Sequence, residues 1–246
     1  MLWLHSMLNS VESDTVYPFF DFNALSRHVS VIRYNACDQS PDGNYSWDNM
    51  SDELIQLAMN QKLGPMILSG SSMGAGTAIH CAVKFPELVK ALILVTPPPA
   101  WKMRAGVKTL YEKIARKADP DKISDLIKKL IANSPSSPYY ISQNQNKTQK
   151  TLLEYRLSFD PAYYSRIYLG GAASDFPSPE KISGIKVPTW IIAQSDDENH
   201  PLPMAQELNK LISGSELSVI SNYNDYLKIQ EKAIHFIGSL AHNNKS

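Results

Sequence analysis

What this chain has little of narrows it first. It holds two cysteines, Cys37 and Cys81, far apart in sequence. A disulfide framework is therefore not expected, and a reducing cytoplasm is the expected location. Lys plus Arg number 24 and Asp plus Glu number 24, so the formal charge is zero. Without an excess of either sign, nothing directs the chain to nucleic acid or to a membrane surface. The longest continuous aliphatic run, Ala91 to Val95, is far short of a membrane span. The apolar start Met1-Leu2-Trp3-Leu4 has no basic leader and no long apolar region, so it is not read as a signal peptide. No His, Cys and carboxylate spacing suggests a metal site, and no glycine-rich loop suggests a dinucleotide. No cofactor is expected, and the oligomeric state is open.

What remains is the pattern of an ordinary globular chain whose 246 residues suffice for one sizeable core with an insertion. Residues 1–5 and 29–34 read as strands, and 47–62 as a helix carrying Trp47, Met50, Leu54, Leu57 and Ala58 on one face. A strand over 65–69, a helix over 73–85 and a strand over 91–95 follow. This alternation implies a parallel sheet covered on both faces. It stops at Pro97-Pro98-Pro99. From there to Lys186 the chain reads as helical, with one stripe of Met103, Val107, Leu110, Ile114 and Ala118 and another of Ile123, Leu126, Ile127, Leu130 and Ile131. Residues 133–150 read as a polar loop or flap, and helices are expected near 148–158 and 161–172. Alternation resumes with a strand over 187–193, a helix over 203–213, a strand over 217–220 and a helix over 226–240. The division expected is a core of 1–97 and 187–246 with an inserted helical cap of 98–186.

Gly70-Ser71-Ser72-Met73-Gly74 fits Gly-x-Ser-x-Gly between the 65–69 strand and the 73–85 helix. A serine at a sharp strand-to-helix turn is presented as an exposed nucleophile with helix N–H groups behind it. The alternative is a turn kept for packing alone.

These residues, with His5-Ser6-Met7, Ala91 to Pro97, Val187-Pro188-Thr189 and Ser195-Asp196-Asp197, resemble an α/β-hydrolase of the capped esterase and enol-lactonase type over nearly the whole chain. The resemblance implies a mostly parallel sheet with helices on both faces and a helical cap. It also implies a serine nucleophile, Ser72, an acid after the strand that follows the cap, and a histidine after the last strand. By the same analogy the oxyanion-hole N–H groups belong to Met7 and Met73. The acid is Asp197, with Asp196 the alternative. Family members carry two strands ahead of the first one seen here. Their absence would leave the 29–34 strand at a sheet edge.

The histidine departs from the pattern. Asn224-Asp225 stands at its usual place, and an aspartate with a reference pKa near 4 is a weak base at neutral pH. His5 reads as a structural loop residue, His28 and His80 as helix residues, His235 as part of the last helix and His242 as part of a polar tail. His200 lies three residues after Asp197 on one loop, before Pro201 and Pro203. It is either a base recruited from the acid's own loop or a structural loop residue.

The expected function is hydrolysis of a small carboxylic ester, lactone or thioester, with the substrate under the cap. The alternative is a ligand-binding or regulatory protein that keeps the pocket without the chemistry. It is motivated by Asp225, by Ser6 where relatives have glycine, and by the missing strands. Residues 102–129 carry nine Lys or Arg and four Asp or Glu. This run either steers an acidic substrate or, as the favoured reading, forms the wet face of amphipathic helices. Tyr139, Tyr140, Tyr155, Tyr163, Tyr164 and Tyr168 either line a pocket or pack the cap onto the core. Cys37 has no nearby base and is not expected to be a catalytic thiol.

Overall fold

Side chains alternate along each central strand between two cores, and this sets the architecture. The computed structural model describes residues 1–39, 43–118, 121–132 and 145–242. Six parallel strands, β1 (Leu2–Leu4), β2 (Ile32–Tyr34), β3 (Met66–Ser71), β4 (Val89–Val95), β5 (Thr189–Gln194) and β6 (Glu216–Ile220), form one sheet in the order β2-β1-β3-β4-β5-β6. Leu2 and Leu4, Leu92 and Leu94, and Ile191 and Ala193 face one core. Met1 and Trp3, Ile93 and Val95, and Trp190 and Ile192 face the other. A period of two on strands buried on both sides gives the near-continuous apolar runs seen in the sequence.

Helices cover both faces. On the first lie α3 (Trp47–Asn60), α4 (Met73–Lys84) and α10 (Leu202–Leu211), through Trp47, Met50, Leu54, Ile79 and Leu208. The second is covered by α11 (Tyr223–His242), through Ile229, Ala233 and Ile237, and by the aromatics Phe19 and Phe20 between α1 (Val11–Val16) and α2 (Phe22–Leu25). The short helices α1 and α2 have no counterpart in the sequence reading. His28 sits in the turn after α2, its N–H bonded to Leu25 O at 2.9 Å, rather than in a helix. No helix among the described residues is long and apolar enough to cross a membrane.

Between β4 and β5 the described chain runs through α5 (Ala105–Lys117), α6 (Ile123–Ala132), α7 (Gln145–Leu157), α8 (Pro161–Ala173) and α9 (Pro179–Ser183). The start of α7 at Gln145 overrides the loop expected up to residue 150; residues 133–144, with Tyr139 and Tyr140, lie outside the described residues. The stripe expected across 103–118 is only half buried. Ile114 and Ala115 of α5 are buried and Leu110 is exposed, while Met103, also exposed, lies in the turn that precedes α5 and so falls outside its helical period.

The strand order also places the site. Consecutive strands run outward from β1 to edge strand β2, then from β3 the other way. At such a reversal the loops leaving adjacent strand ends diverge and open a crevice at the carboxyl edge. Here the diverging segments are the loop after β1, with Met7, and the turn after β3, with Ser72. Leu4 pairs with Gly70 in register.

Candidate active site

Ser72 occupies the turn between β3 and α4 with φ 52° and ψ −109°. A side chain with positive φ is strained, and such strain persists where the surroundings enforce it. Two contacts enforce it here. The Ser72 N–H donates to Val95 O at 3.0 Å, extending the β3–β4 ladder, and Ser72 O accepts from Gly76 N at 3.0 Å as α4 begins. The glycine of the motif at position 74 permits the close passage of α4 over β1: a Cβ there would stand 2.2 Å from Leu4 O. Met73, the first residue of α4, has no intrahelical acceptor for its N–H. Met7, in the turn after β1, lines the same small cavity as Ser72 and Met73.

The Ser72 hydroxyl donates to His200 Nε2 at 2.8 Å, and His200 Nδ1 donates to Asp197 Oδ2 at 2.7 Å. A carboxylate oxygen accepts only, so the Nδ1 proton is fixed and Nε2 is left as an acceptor facing the serine. The local chain explains how three residues of separation suffice. Asp197 Oδ1 accepts the N–H groups of Asn199 at 3.0 Å and His200 at 3.1 Å, curling the loop around its own carboxylate. The Asp197 and His200 side chains are 15% and 21% exposed, so the pair is largely removed from water. Burial is the largest influence on Asp197 and opposes its charge. The His200 hydrogen bond and charge, with the two backbone N–H groups, outweigh it and hold the carboxyl below its ordinary range. Asp196 is exposed.

The other residues singled out from the sequence lie elsewhere. Asp225 Oδ2 accepts the Ser221 N–H at 3.1 Å, and the Asp225 N–H donates to Asn222 Oδ1 at 3.0 Å. Together these bonds cap the start of α11. Asn222 and Asp225, three residues apart, were the sequence sign of it. His5 is buried, donates from Nδ1 to Ser6 O and accepts the Ala36 N–H at Nε2. Burial, the main influence, lowers its pKa and keeps it neutral, so it braces the loop after β1. His80 donates from Nε2 to Asp175 O at 2.8 Å, tying α4 to the segment after α8. Tyr163, Tyr164 and Tyr168 are buried in ring-to-ring packing and do not line the Ser72 cavity. Cys37 directs its thiol to Asn44 O. Among the described residues no cluster of His, Cys and carboxylates could hold a metal ion.

The cavity beside Ser72 has a volume of about 20 Å³ and is lined by Met7, Trp47, Ser72, Met73, Pro98, Arg104, Tyr111 and Gly171. Arg104 and Tyr111 escaped the sequence reading. Arg104 stands in a basic run with nothing local to mark it as the member that turns inward.

A strained serine at a strand-to-helix turn, at the carboxyl edge of a six-stranded parallel sheet, defines an α/β-hydrolase fold. No protein-family profile matches the chain. It is 28% identical over 200 residues to the AB hydrolase superfamily protein YisY of Bacillus subtilis (strain 168), covering 79% of this chain and 72% of that one. It is 24% identical over 229 residues to a putative 2-succinyl-6-hydroxy-2,4-cyclohexadiene-1-carboxylate synthase of the same organism, covering 88% and 80%. Among solved structures, the enol-lactonase of Burkholderia xenovorans LB400 superposes with a TM-score of 0.78 at 16% identity, over 98% of this chain and 90% of that one. MenH from S. aureus superposes with a TM-score of 0.76 at 20% identity, over 100% and 94%. The chain thus has the α/β-hydrolase fold and is similar to members of the α/β-hydrolase superfamily.

Proposed function

We propose that the protein is a serine hydrolase of small carboxylic esters, lactones or thioesters, working through an acyl-enzyme on Ser72. The observation that carries this reading is the chain of two short hydrogen bonds from Ser72 through His200 to Asp197. A serine hydroxyl is a poor nucleophile until a base takes its proton. In the proposed reaction Ser72 Oγ attacks the substrate carbonyl while its proton passes to His200 Nε2. The imidazolium is stabilised by Asp197, whose charge is maintained at neutral pH. The oxyanion takes hydrogen bonds from the Met7 and Met73 N–H groups. Collapse breaks the bond to the leaving group, which receives the proton from His200. Water, activated by the same imidazole, then releases the acid and restores Ser72.

Residues 98–186 serve as the cap in this proposal. A cavity of about 20 Å³ takes one water and no ester. Arg104, Tyr111 and Gly171 wall it from the cap side, so admission of substrate requires that wall to move.

A fluorophosphonate probe tests the nucleophile. The expected result is a single adduct, mapped to the Ser72 peptide by mass spectrometry and absent in Ser72→Ala. No adduct at Ser72 under conditions that label a control serine esterase would overturn the reading.

A further inference from the structure

Arg104 is 4% exposed, yet it lines the cavity that holds Ser72. Its guanidinium is fixed from three sides. Nε donates to Ser174 O, Nη1 to Pro99 O at 3.1 Å, and Nη2 to Gly171 O. Its planar face lies over the Trp47 ring, 4.3 Å from the ring centroid. These contacts use three of the five N–H donors and leave one on each terminal nitrogen.

Holding the group in place is different from neutralising it. Among the described residues Arg104 has no ion pair within 4.0 Å. Asp175, whose carboxylate accepts the Trp101 and Phe176 N–H groups, acts on it only from beyond ion-pair distance, and the nearby end of α8 adds partial negative charge. Burial lowers the pKa of Arg104, but arginine remains protonated in proteins. A full positive charge is thus held rigid and without a direct ion-pair partner against the cavity of the candidate nucleophile. Tyr111 stands on the same wall. Burial, the largest influence, raises its pKa and keeps the phenol protonated, and its hydroxyl has no hydrogen-bond partner among the described residues.

We propose that Arg104, with Tyr111 beside it, binds a carboxylate of the substrate, so that the preferred substrates are esters, lactones or thioesters carrying a second, anionic group. This rests on the reading of Ser72 as the nucleophile and narrows its substrate class. The two remaining N–H donors suit the two oxygens of a carboxylate, and a desolvated arginine favours that anion over a neutral ester end. Other cationic residues of the 102–129 run, such as Lys102 and Lys108, are exposed and water-screened, so they cannot provide the same discrimination.

The test compares mono-p-nitrophenyl glutarate and adipate with their methyl-capped, neutral counterparts, each corrected for non-enzymatic hydrolysis. The wild type is expected to favour the anionic member by at least about tenfold in kcat/KM. Arg104→Met is expected to lower that ratio by at least about tenfold, mainly through KM, whatever it does to the absolute rates. Arg104→Lys, which keeps the charge without the fork, is expected to fall between. Equal use of both esters by the wild type, or an unchanged ratio in Arg104→Met, overturns the proposal. If Arg104→Met fails to fold, Arg104→Lys and competitive inhibition by free glutarate decide: an unchanged ratio with no inhibition overturns it. If the wild type turns over neither ester faster than Ser72→Ala does, the hydrolase reading fails separately. Calorimetric binding of glutarate to Ser72→Ala then decides the anion site, its presence supporting the site and its absence overturning it.

Discussion

The loops that leave β5 and β6 are both polar, and an aspartate follows each strand, yet the fold gives them different work. After β5, Asp197 folds its loop around its own carboxylate and sets His200 against Ser72. After β6, Asn222 Oδ1 accepts the Asp225 N–H, Asp225 Oδ2 accepts the Ser221 N–H, and α11 starts there. Strands in a sheet lie about 4.8 Å apart, so β5, two strands from β3, is nearer to the serine than β6, three strands away. A histidine recruited from the β5 loop therefore has the shorter span to cross. The lesson is that a missing residue at a family position says little until the neighbouring loops are placed in space.

The contrast breaks most sharply at the reacting group itself. Ser72→Ala is expected to lower ester turnover by about 10⁵-fold or more while leaving the melting temperature near that of the wild type. Steady-state kinetics and a thermal scan of the same preparation check both halves. Next comes the carboxylate that organises the β5 loop. Asp197→Asn presents an amide to His200 Nδ1, frees the tautomer and removes the charge facing the imidazolium. A loss of about 10³- to 10⁴-fold in kcat, with little change in KM, is expected.

The carboxylate of the β5 loop also has a pH signature, and a buried carboxylate elsewhere sets the opposite sign beside it. Asp197 has a folded pKa below the ordinary 3.8, so it stabilises the fold above that value and loses its contribution as pH falls through the folded pKa. Asp14, bonded to the Trp3 indole N–H, has the opposite sign. Burial raises its pKa to about 6, against weaker lowering by Trp3, Arg33 and Asn9. Its ionisation therefore costs stability as pH rises from 3.8 towards 6, and the loss is complete above that. Asp14→Asn keeps an acceptor for Trp3 and should gain up to about 3 kcal/mol over the wild type at pH 8 relative to pH 4. Urea denaturation at the two pH values measures this. A constant difference between the two proteins would show that Asp14 carries no such penalty.

The smallest effect belongs to the β6 loop. Asp225→Ala removes a cap and should lower stability by about 1 kcal/mol, with ester turnover unchanged within about twofold. A large loss of turnover in a folded Asp225→Ala protein would return the β6 loop to the chemistry.

Much of the fold was legible because β1, β3, β4 and β5 are buried on both faces and therefore read as apolar runs. The serine turn was legible because its glycines have a steric cause, close passage of α4 over Leu4. The three-residue spacing from Asp197 to His200 was the one sequence sign that pointed to the β5 loop. What escaped has physical reasons too. The helices α1 and α2 are too short to show a period. The expected stripe also ran past the start of α5: Met103 lies in the turn before that helix, and Leu110 is on its exposed side. Arg104 turns inward because it answers carbonyls at Pro99, Gly171 and Ser174, up to 70 residues away, and no local pattern encodes such partners.

The role of His200 is the central claim, and one measurement addresses it directly: kcat/KM of His200→Ala on a short-chain p-nitrophenyl ester, beside the wild type and with folding verified by circular dichroism. The account predicts a loss of at least about 10⁴-fold, approaching that of Ser72→Ala. Turnover within about tenfold of the wild type would contradict it, because the serine would then have a base other than the one it touches.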